Sequence, residues 1–374
     1  MRLGLYVNLY ARPDERPRLA DAVEQVRLAE QAGFAWAVVG ERHLHRPGYH
    51  EALTSLTYLA AHTERIGLAT AGLIAPVYDP VWLAETLAHL DVLSGGRLTA
   101  GFVLGYRPEE FALYGTRPAE RVPRFEEALE VLTRLWTEDE VTFTGRWTRL
   151  ENAYLAPRPV RRPRPVIWNG GRVSAALRRT ALLCDGWTTS FNETDEELPG
   201  KIAEYRSYPR GPRSLGAEVI VCREGYAAPT GQAARAALEG PLRELYDAYG
   251  DWKRTSADAA RYAQEWDDIA ARSVIGSPAQ CRERVERYAA MGADGLILRV
   301  QPPGMSQADA LRAIETFGEL GPDPGAGSGP ETRTGTDSGT GGGSRTGTDS
   351  GAGRDSGTGP GPDAGQERQP EPAA

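Results

Sequence analysis

Eight short apolar runs rich in β-branched residues recur along residues 1–320, and helical segments alternate with them. Strand–helix alternation of this kind predicts a parallel sheet, and eight units predict an α/β fold closed into a (β/α)8 TIM barrel. The patterning places strands over 3–9, 35–40, 66–75, 97–104, 165–168, 186–191, 217–222 and 295–300. Helices are expected over 18–33, 51–63, 80–93 and 119–136, with a further one starting near 173. In the first of these, Leu19, Val23, Val26 and Ala29 recur at helical spacing, and Gly33 sits where a C-cap belongs. A polar, Pro-rich stretch over 137–164 reads as an insertion with short strands of its own. Roughly seventy residues of helical pattern separate the seventh and eighth strands, more than one crossover helix needs. They predict a second insertion over part of the barrel mouth.

The pattern stops at residue 320. From 321 to 374 there is no Val, Ile, Leu, Met, Phe, Tyr or Trp, and the stretch Arg333 to Gly339 recurs as Arg345 to Gly351. A segment with nothing to bury cannot offset the entropy of ordering, so a disordered tail rich in Gly, Ser, Thr, Asp and Pro is expected there. The barrel domain is accordingly assigned to 1–320 and the tail to 321–374. The net charge of −8 divides evenly between the two segments, and no basic face suggests a nucleic-acid partner. No apolar run approaches the ~20 residues of a membrane span. The N-terminus enters a strand without a signal-peptide pattern. Three widely spaced cysteines suggest neither a disulfide framework nor a zinc site. A cytoplasmic protein without membrane contact is the expectation.

Barrels keep their chemistry at the C-terminal strand ends. Those ends bring Asn8, Glu41, His43, Ala71, Gly72, Tyr106, Asn169, Gly170, Gly171, Phe191, Asn192, Arg223 and Arg299 around one mouth. Small residues at Ala69, Ala71 and Gly72 leave room for a planar ring against the third strand. The turn from Asn169 through Gly170, Gly171, Arg172 and Val173 to Ser174 joins a strand to a helix start. It suits an anion such as phosphate, or equally a tight turn with Ser174 as an ordinary N-cap. Glu41, His43, His45 and His50 cluster after the second strand, but the last of the five histidines is His89. Later strands therefore have no imidazole to add to a metal site, and acid–base or hydrogen-bonding work suits His43 better.

Four segments carry a resemblance: LSGGRLTAGFVLGY over 93–106, PVIWNGG with AALRRTALLCDGW over 165–187, GERH over 40–43, and FEEALEVLTRLW over 125–136. Together they resemble the bacterial-luciferase-like flavin-dependent oxidoreductases over most of residues 1–320. The resemblance implies reduced FMN, or alternatively a deazaflavin coenzyme (F-420), lying across the strand ends. It implies a cis peptide at Ala71–Gly72 beneath the ring, with phosphate contacts from Gly170, Gly171, Arg172 and Ser174. Glu41 and His43 match the first and last positions of the family's Glu-His-His triplet. With the strand-end positions above, Asn8 and Asn169 are assigned to the cofactor, His43, Glu41 and Tyr106 to catalysis, and Asn192 and Phe191 to the substrate.

Two positions depart from the family pattern. Arg42 stands where luciferases carry a catalytic His, which speaks against light emission. Leu104 replaces a phosphate-binding Arg, for which Arg107 is a candidate substitute. The implied function is a monooxygenase using reduced FMN and O2 on a small organic substrate. No Rossmann-type glycine motif follows a strand, so a separate flavin reductase is expected to supply the cofactor. A homodimer through the second and third helices is expected from the family alone. The alternatives are hydride transfer with the deazaflavin, a metal-dependent barrel hydrolase and a non-catalytic flavin binder.

Overall fold

The computed structural model describes residues 1–11, 19–44, 48–49, 51–253 and 265–320. The tail over 321–374, together with His45 and His50, lies outside the described residues. Eight strands carry the fold: β1 (Arg2–Tyr6), β2 (Trp36–Val39), β3 (Gly67–Thr70), β4 (Leu98–Val103), β5 (Val166–Gly170), β6 (Gly186–Thr188), β7 (Glu218–Ala227) and β8 (Gly295–Arg299). Each pairs in parallel with its neighbours, and β8 returns to β1 with Leu3 opposite Leu296, so the sheet closes into a barrel. Around it run α1 (Leu19–Gln31), α2 (Ala52–Ala60), α3 (Pro80–Leu93), α4 (Arg121–Thr137), α5 (Ser174–Leu183) and α6 (Leu198–Ser207). The ring continues with α7 (Gly231–Lys253), α8 (Trp266–Arg272), α9 (Pro278–Ala290) and α10 (Gln307–Leu320). Among the described residues no helix is long and apolar enough to cross a membrane.

Alternation along each strand sends one set of side chains inward and the other against the helices. The inward set is a separate apolar cluster built on Trp36, Val38, Ala69, Trp168, Ile220 and Ile297. Trp36 and Trp168 meet edge to face, 5.1 Å apart, and plug the floor. Glycines make room for them: a Cβ at Gly67 would lie 2.7 Å from the Trp36 ring, and one at Gly186 would lie 2.6 Å from Trp168. Outside the barrel, α1 buries Ala22, Val23, Val26 and Ala29, and Gly33 ends it at φ 81°. Asp79 caps α3 through the N–H groups of Val81 and Trp82. Trp136 and Trp187 are core, whereas Tyr58 and Trp82 are exposed on α2 and α3.

The floor also holds a polar hub. The buried carboxylate of Asp185 accepts from Arg164 at 2.6 and 2.9 Å, from the Ile167 N–H at 2.7 Å and from the Leu215 N–H at 2.6 Å. It ties the starts of β5 and β6 to the loop before β7 with charge-assisted bonds.

Several strands differ from the sequence expectation; the first stops at Tyr6 rather than 9. The third strand is not continuous over 66–75: β3 ends at Thr70, and a second piece, Leu73–Ile74, pairs with Phe102 and Val103 of β4. The sixth strand stops at Thr188 rather than 191. The seventh runs on to Ala227, through Arg223 and Glu224. Those charges read as a strand end in sequence, but both are buried and paired. The insertion over 137–164 contains the antiparallel pair Val141–Thr144 and Arg149–Ala153. The insertion after β7 comprises α7, α8 and a short strand, Val274–Gly276, that pairs with the extended end of β7.

Candidate active site

The wall from β3 to β5 is made of backbone and small side chains. The peptide between Ala71 and Gly72 is cis, at the position the resemblance implied. A Cβ at Gly72 would lie 3.0 Å from the Phe102 carbonyl carbon, and one at Gly101 only 1.9 Å from the Thr70 carbonyl oxygen. Thr70 fixes this junction from both sides. Its hydroxyl donates to the Gly101 carbonyl and accepts from the Gly101 N–H, each at 2.8 Å.

At the end of β5, a Cβ on Gly170 would lie 2.9 Å from Val103, and one on Gly171 would lie 2.7 Å from Ala176. Trp187 holds the turn by donating from its indole to the Gly171 carbonyl at 2.6 Å. The N-cap of α5 is Val173, not Ser174, and no side chain caps the helix. A ten-residue helix thus begins beside two glycines with its first turn uncapped, a geometry that favours an anion. Ser174 is exposed at its first position. Arg172 is held by the buried carboxylate of Glu193 at 2.9 Å and by Glu197 at 3.3 Å, and Lys201 also pairs with Glu193. The side-chain carbonyl oxygen of Asn169 is buried and has no hydrogen-bond partner among the described residues. Its amide is buried and donates to Thr180 on α5 at 2.7 Å, so it braces the strand against the helix.

Beyond β2 lies the Glu41–His43 pair. The Glu41 carboxylate accepts from the Ile74 N–H at 2.6 Å and from the Tyr78 hydroxyl, which fixes it beside the broken third strand. His43 Nε2 lies 3.3 Å from that carboxylate, close enough for charge attraction but poorly aligned for a hydrogen bond, and Nδ1 meets the Tyr114 hydroxyl at 2.8 Å. Burial opposes charging of the ring, but Glu41, Glu110 and Glu51 outweigh it and raise the His43 pKa. Arg107 donates to Glu110 at 3.2 Å and to the His43 carbonyl at 3.5 Å, which stations it at this loop rather than at the β5 turn.

The wall from β7 to β8 is charged and aromatic. Arg299 makes a two-pronged pair with Glu224, with Nε at 2.9 Å, and both side chains are buried. Its guanidinium lies 4.3 Å from the centroid of Phe191, which meets Tyr6 edge to face. From α7, Tyr246 donates to Glu224 at 3.2 Å, and the Tyr249 hydroxyl accepts from Arg299 at 3.3 Å. The insertion helix therefore packs over the strand ends. Arg42 stacks on the Tyr249 ring at 4.4 Å and donates to Tyr106 at 3.3 Å. Burial pushes the Cys222 thiol up to about 12.

Asn192 is buried, and its carbonyl accepts from Arg272 at 3.4 Å. Asn8 donates to the Gln301 carbonyl at 3.0 Å and joins the ends of β1 and β8. Arg223, grouped with the mouth by its sequence position, points the other way. It is buried outside the barrel against Tyr288 at 2.8 Å and Asp195 at 3.2 Å. Glu224, Tyr246 and Tyr249 were not anticipated. The period of two past Cys222 marks Glu224 as inward, but nothing in the helical pattern of α7 marks its tyrosines. Among the described residues no group of three or more His, Cys, Asp or Glu side chains is placed to hold a metal.

The luciferase-like monooxygenase family model matches residues 4–295. An FMNH(2)-dependent dimethylsulfone monooxygenase of Pseudomonas putida is 28% identical over 302 residues, covering 72% of this chain and 79% of its own. The oxygenase component of a flavin-dependent trigonelline monooxygenase of Acinetobacter baylyi is 22% identical over 79% of this chain and 87% of its own. Among solved structures, monooxygenase RslO1 of Streptomyces bottropensis superposes with a TM-score of 0.70 at 25% identity, covering 86% of this chain and 98% of its own. F420-dependent dehydrogenases also occur among the similar proteins.

Proposed function

The chain belongs to the luciferase-like monooxygenase family, and from that premise we propose that it is a monooxygenase using reduced FMN and O2 on a small organic substrate. One juxtaposition carries the reading: an uncapped helix start beside Gly170 and Gly171, across from the side-chain-poor wall at Ala71 and Gly72. Phosphate suits the first, because free N–H groups and close backbone approach are what an anion needs. A flat ring suits the second, because side chains there are small or absent and the backbone at Gly72 lies directly against that of β4. Gly170, Gly171, Arg172 and Ser174 would hold the phosphate end, and Ala71 and Gly72 the ring. Reduced FMN supplies, when bound, the two electrons that activate O2, one oxygen atom passing to the substrate and the other to water.

The chain's own groups orient and shield. Glu41 positions His43, which hydrogen-bonds at the rim and holds a proton more readily than a free imidazole. Tyr106 and Arg42 border the ring side, and Phe191 and Asn192 the substrate side. The packing of α7 over β7 and β8 excludes water, which strengthens each polar contact beneath it. Reduced cofactor comes from a separate reductase, in keeping with the relative named as an oxygenase component. Exposed Tyr58, Trp82 and Leu93 on α2 and α3 support a homodimer through those helices, and sedimentation of the purified protein tests it.

Titration of the full chain with FMN and with the deazaflavin coenzyme tests the cofactor. FMN binding is expected, and Gly171→Val should weaken it by about 100-fold, or about 2.7 kcal/mol. Unchanged affinity in that variant refutes the phosphate placement. Preference for the deazaflavin would turn the reading to hydride transfer, and binding of neither would end it.

A further inference from the structure

The insertion helix α7 brings one side chain into the mouth that the roles above leave unused. Tyr249 sits with its hydroxyl 3.3 Å from Arg299 Nη1 and its ring 4.4 Å from the Arg42 guanidinium. The charged and titratable groups facing it are Tyr6 from β1, Arg42 after β2, Tyr106 after β4, Glu224 from β7, Arg299 from β8 and Tyr246 from its own helix. That set holds two guanidiniums and one carboxylate, and the carboxylate is committed to Arg299 by a two-pronged pair. A negative charge on Tyr249 would therefore lie between two cations. Arg42, moreover, occupies the position where the family resemblance expects a catalytic imidazole.

We infer that Tyr249 is the proton-exchanging group of this mouth, supplied from the insertion helix where the second-strand loop has an arginine instead of a histidine. As a phenol it gives its proton to an oxygen of the substrate, or of the reduced-oxygen product, as that oxygen gains charge. The tyrosine O–H bond breaks as the new O–H bond forms. The phenolate left behind is stabilised by Arg42 and Arg299 and takes a proton back from water, so the tyrosine is restored and the solvent supplies one proton per turnover, with hydroxide left in its place. Burial opposes ionisation here, but the two arginines outweigh it and bring the phenol down to about 8. An acid with a pKa near the working pH is the kind that transfers protons efficiently. The destination of the proton rests on the monooxygenase reading; the ionisation of Tyr249 does not.

The test uses the full chain and two readouts. Ultraviolet titration should show one of the fifteen tyrosines ionising near pH 8, ahead of the rest. Tyr249→Phe should remove that step, and Arg42→Gln should move it up by about one unit or more. In parallel, hydrogen peroxide release is followed as reduced FMN reacts with O2 on the protein without organic substrate. In the unaltered chain the rate should fall as pH rises through the same step. Tyr249→Phe should be slower by about tenfold or more and lose the inflection. A step that survives in Tyr249→Phe, one that ignores Arg42→Gln, or an unaltered peroxide profile overturns the inference. FMN affinity, read by flavin fluorescence in the same samples, separates the two failures. Bound FMN without the tyrosine step sinks the inference alone, whereas the step without FMN binding sinks the cofactor reading and the proton's destination with it.

Discussion

From β3 to β5 the mouth is lined by Ala71, Gly72, Gly170 and Gly171, whereas from β7 to β8 it is lined by Glu224 and Arg299 beneath Tyr246 and Tyr249. The first wall is a surface of main chain, and its shape depends on side chains being absent. The second is a lattice of charges whose every member depends on the others. The difference implies opposite vulnerabilities: the small-residue wall should fail when atoms are added, and the charged wall when they are taken away.

The most severe test adds a single methyl group. Gly101→Ala would set a Cβ 1.9 Å from the Thr70 carbonyl oxygen, and a loss of about 5 kcal/mol or more, or failure to fold, is expected in urea denaturation. A cost below about 1 kcal/mol would show that this wall yields, and the contrast would lapse. Next comes removal on the other side. Glu224→Ala leaves Arg299 buried without its carboxylate and should cost about 3–5 kcal/mol. Replacing Glu224 and Arg299 together with Gln and Met should cost less than the single change, since no orphaned charge remains. Equal costs would mean that the pair acts as packing.

A milder addition sharpens the comparison. Ala71→Val should weaken FMN by about tenfold, or about 1.4 kcal/mol, with a thermal midpoint within a few degrees of the parent. A large stability loss instead would recast Ala71 as core rather than cofactor wall. The smallest effect concerns His43, between the two walls. Its folded pKa is raised, so its contribution is fully present below the unfolded value of about 6.5 and is lost as pH rises through the folded value. His43→Asn should therefore destabilise by about 1 kcal/mol near pH 5.5 and by less near pH 8. A deficit that grows with pH would contradict the environment described for the ring.

How far these walls could be read from sequence follows from the same contrast. On the small side, glycine and alanine are conspicuous in a third strand that otherwise favours Val, Ile and Leu, whereas the Gly-Gly turn by itself fits a tight turn as well as an anion and took its phosphate reading from the family resemblance. The break in the third strand was less so, because residues 66–75 are apolar throughout and no residue type announces a register change. The bracing role of Asn169 was not legible, because a polar residue at a strand end looks available while the period of two turns its amide toward α5 and Thr180. Arg223 misled for the same reason, because the strand expected to end at Cys222 continues through Arg223 and Glu224 to Ala227. Buried ion pairs of this kind join residues far apart in sequence, as Glu224 and Arg299 are, and neither partner alone signals the other. Tyr249 was illegible for a different reason: it lies on an insertion helix whose direction across the barrel is fixed only by tertiary packing.

The hub at Asp185 bears on how such an enzyme can change. It clamps the staves at the end remote from the chemistry, through bonds that involve no rim residue. Lengthening a rim loop or exchanging the residues of α7 leaves that clamp intact. Selection is thus free to recut the opening for a new substrate while the barrel keeps its gauge.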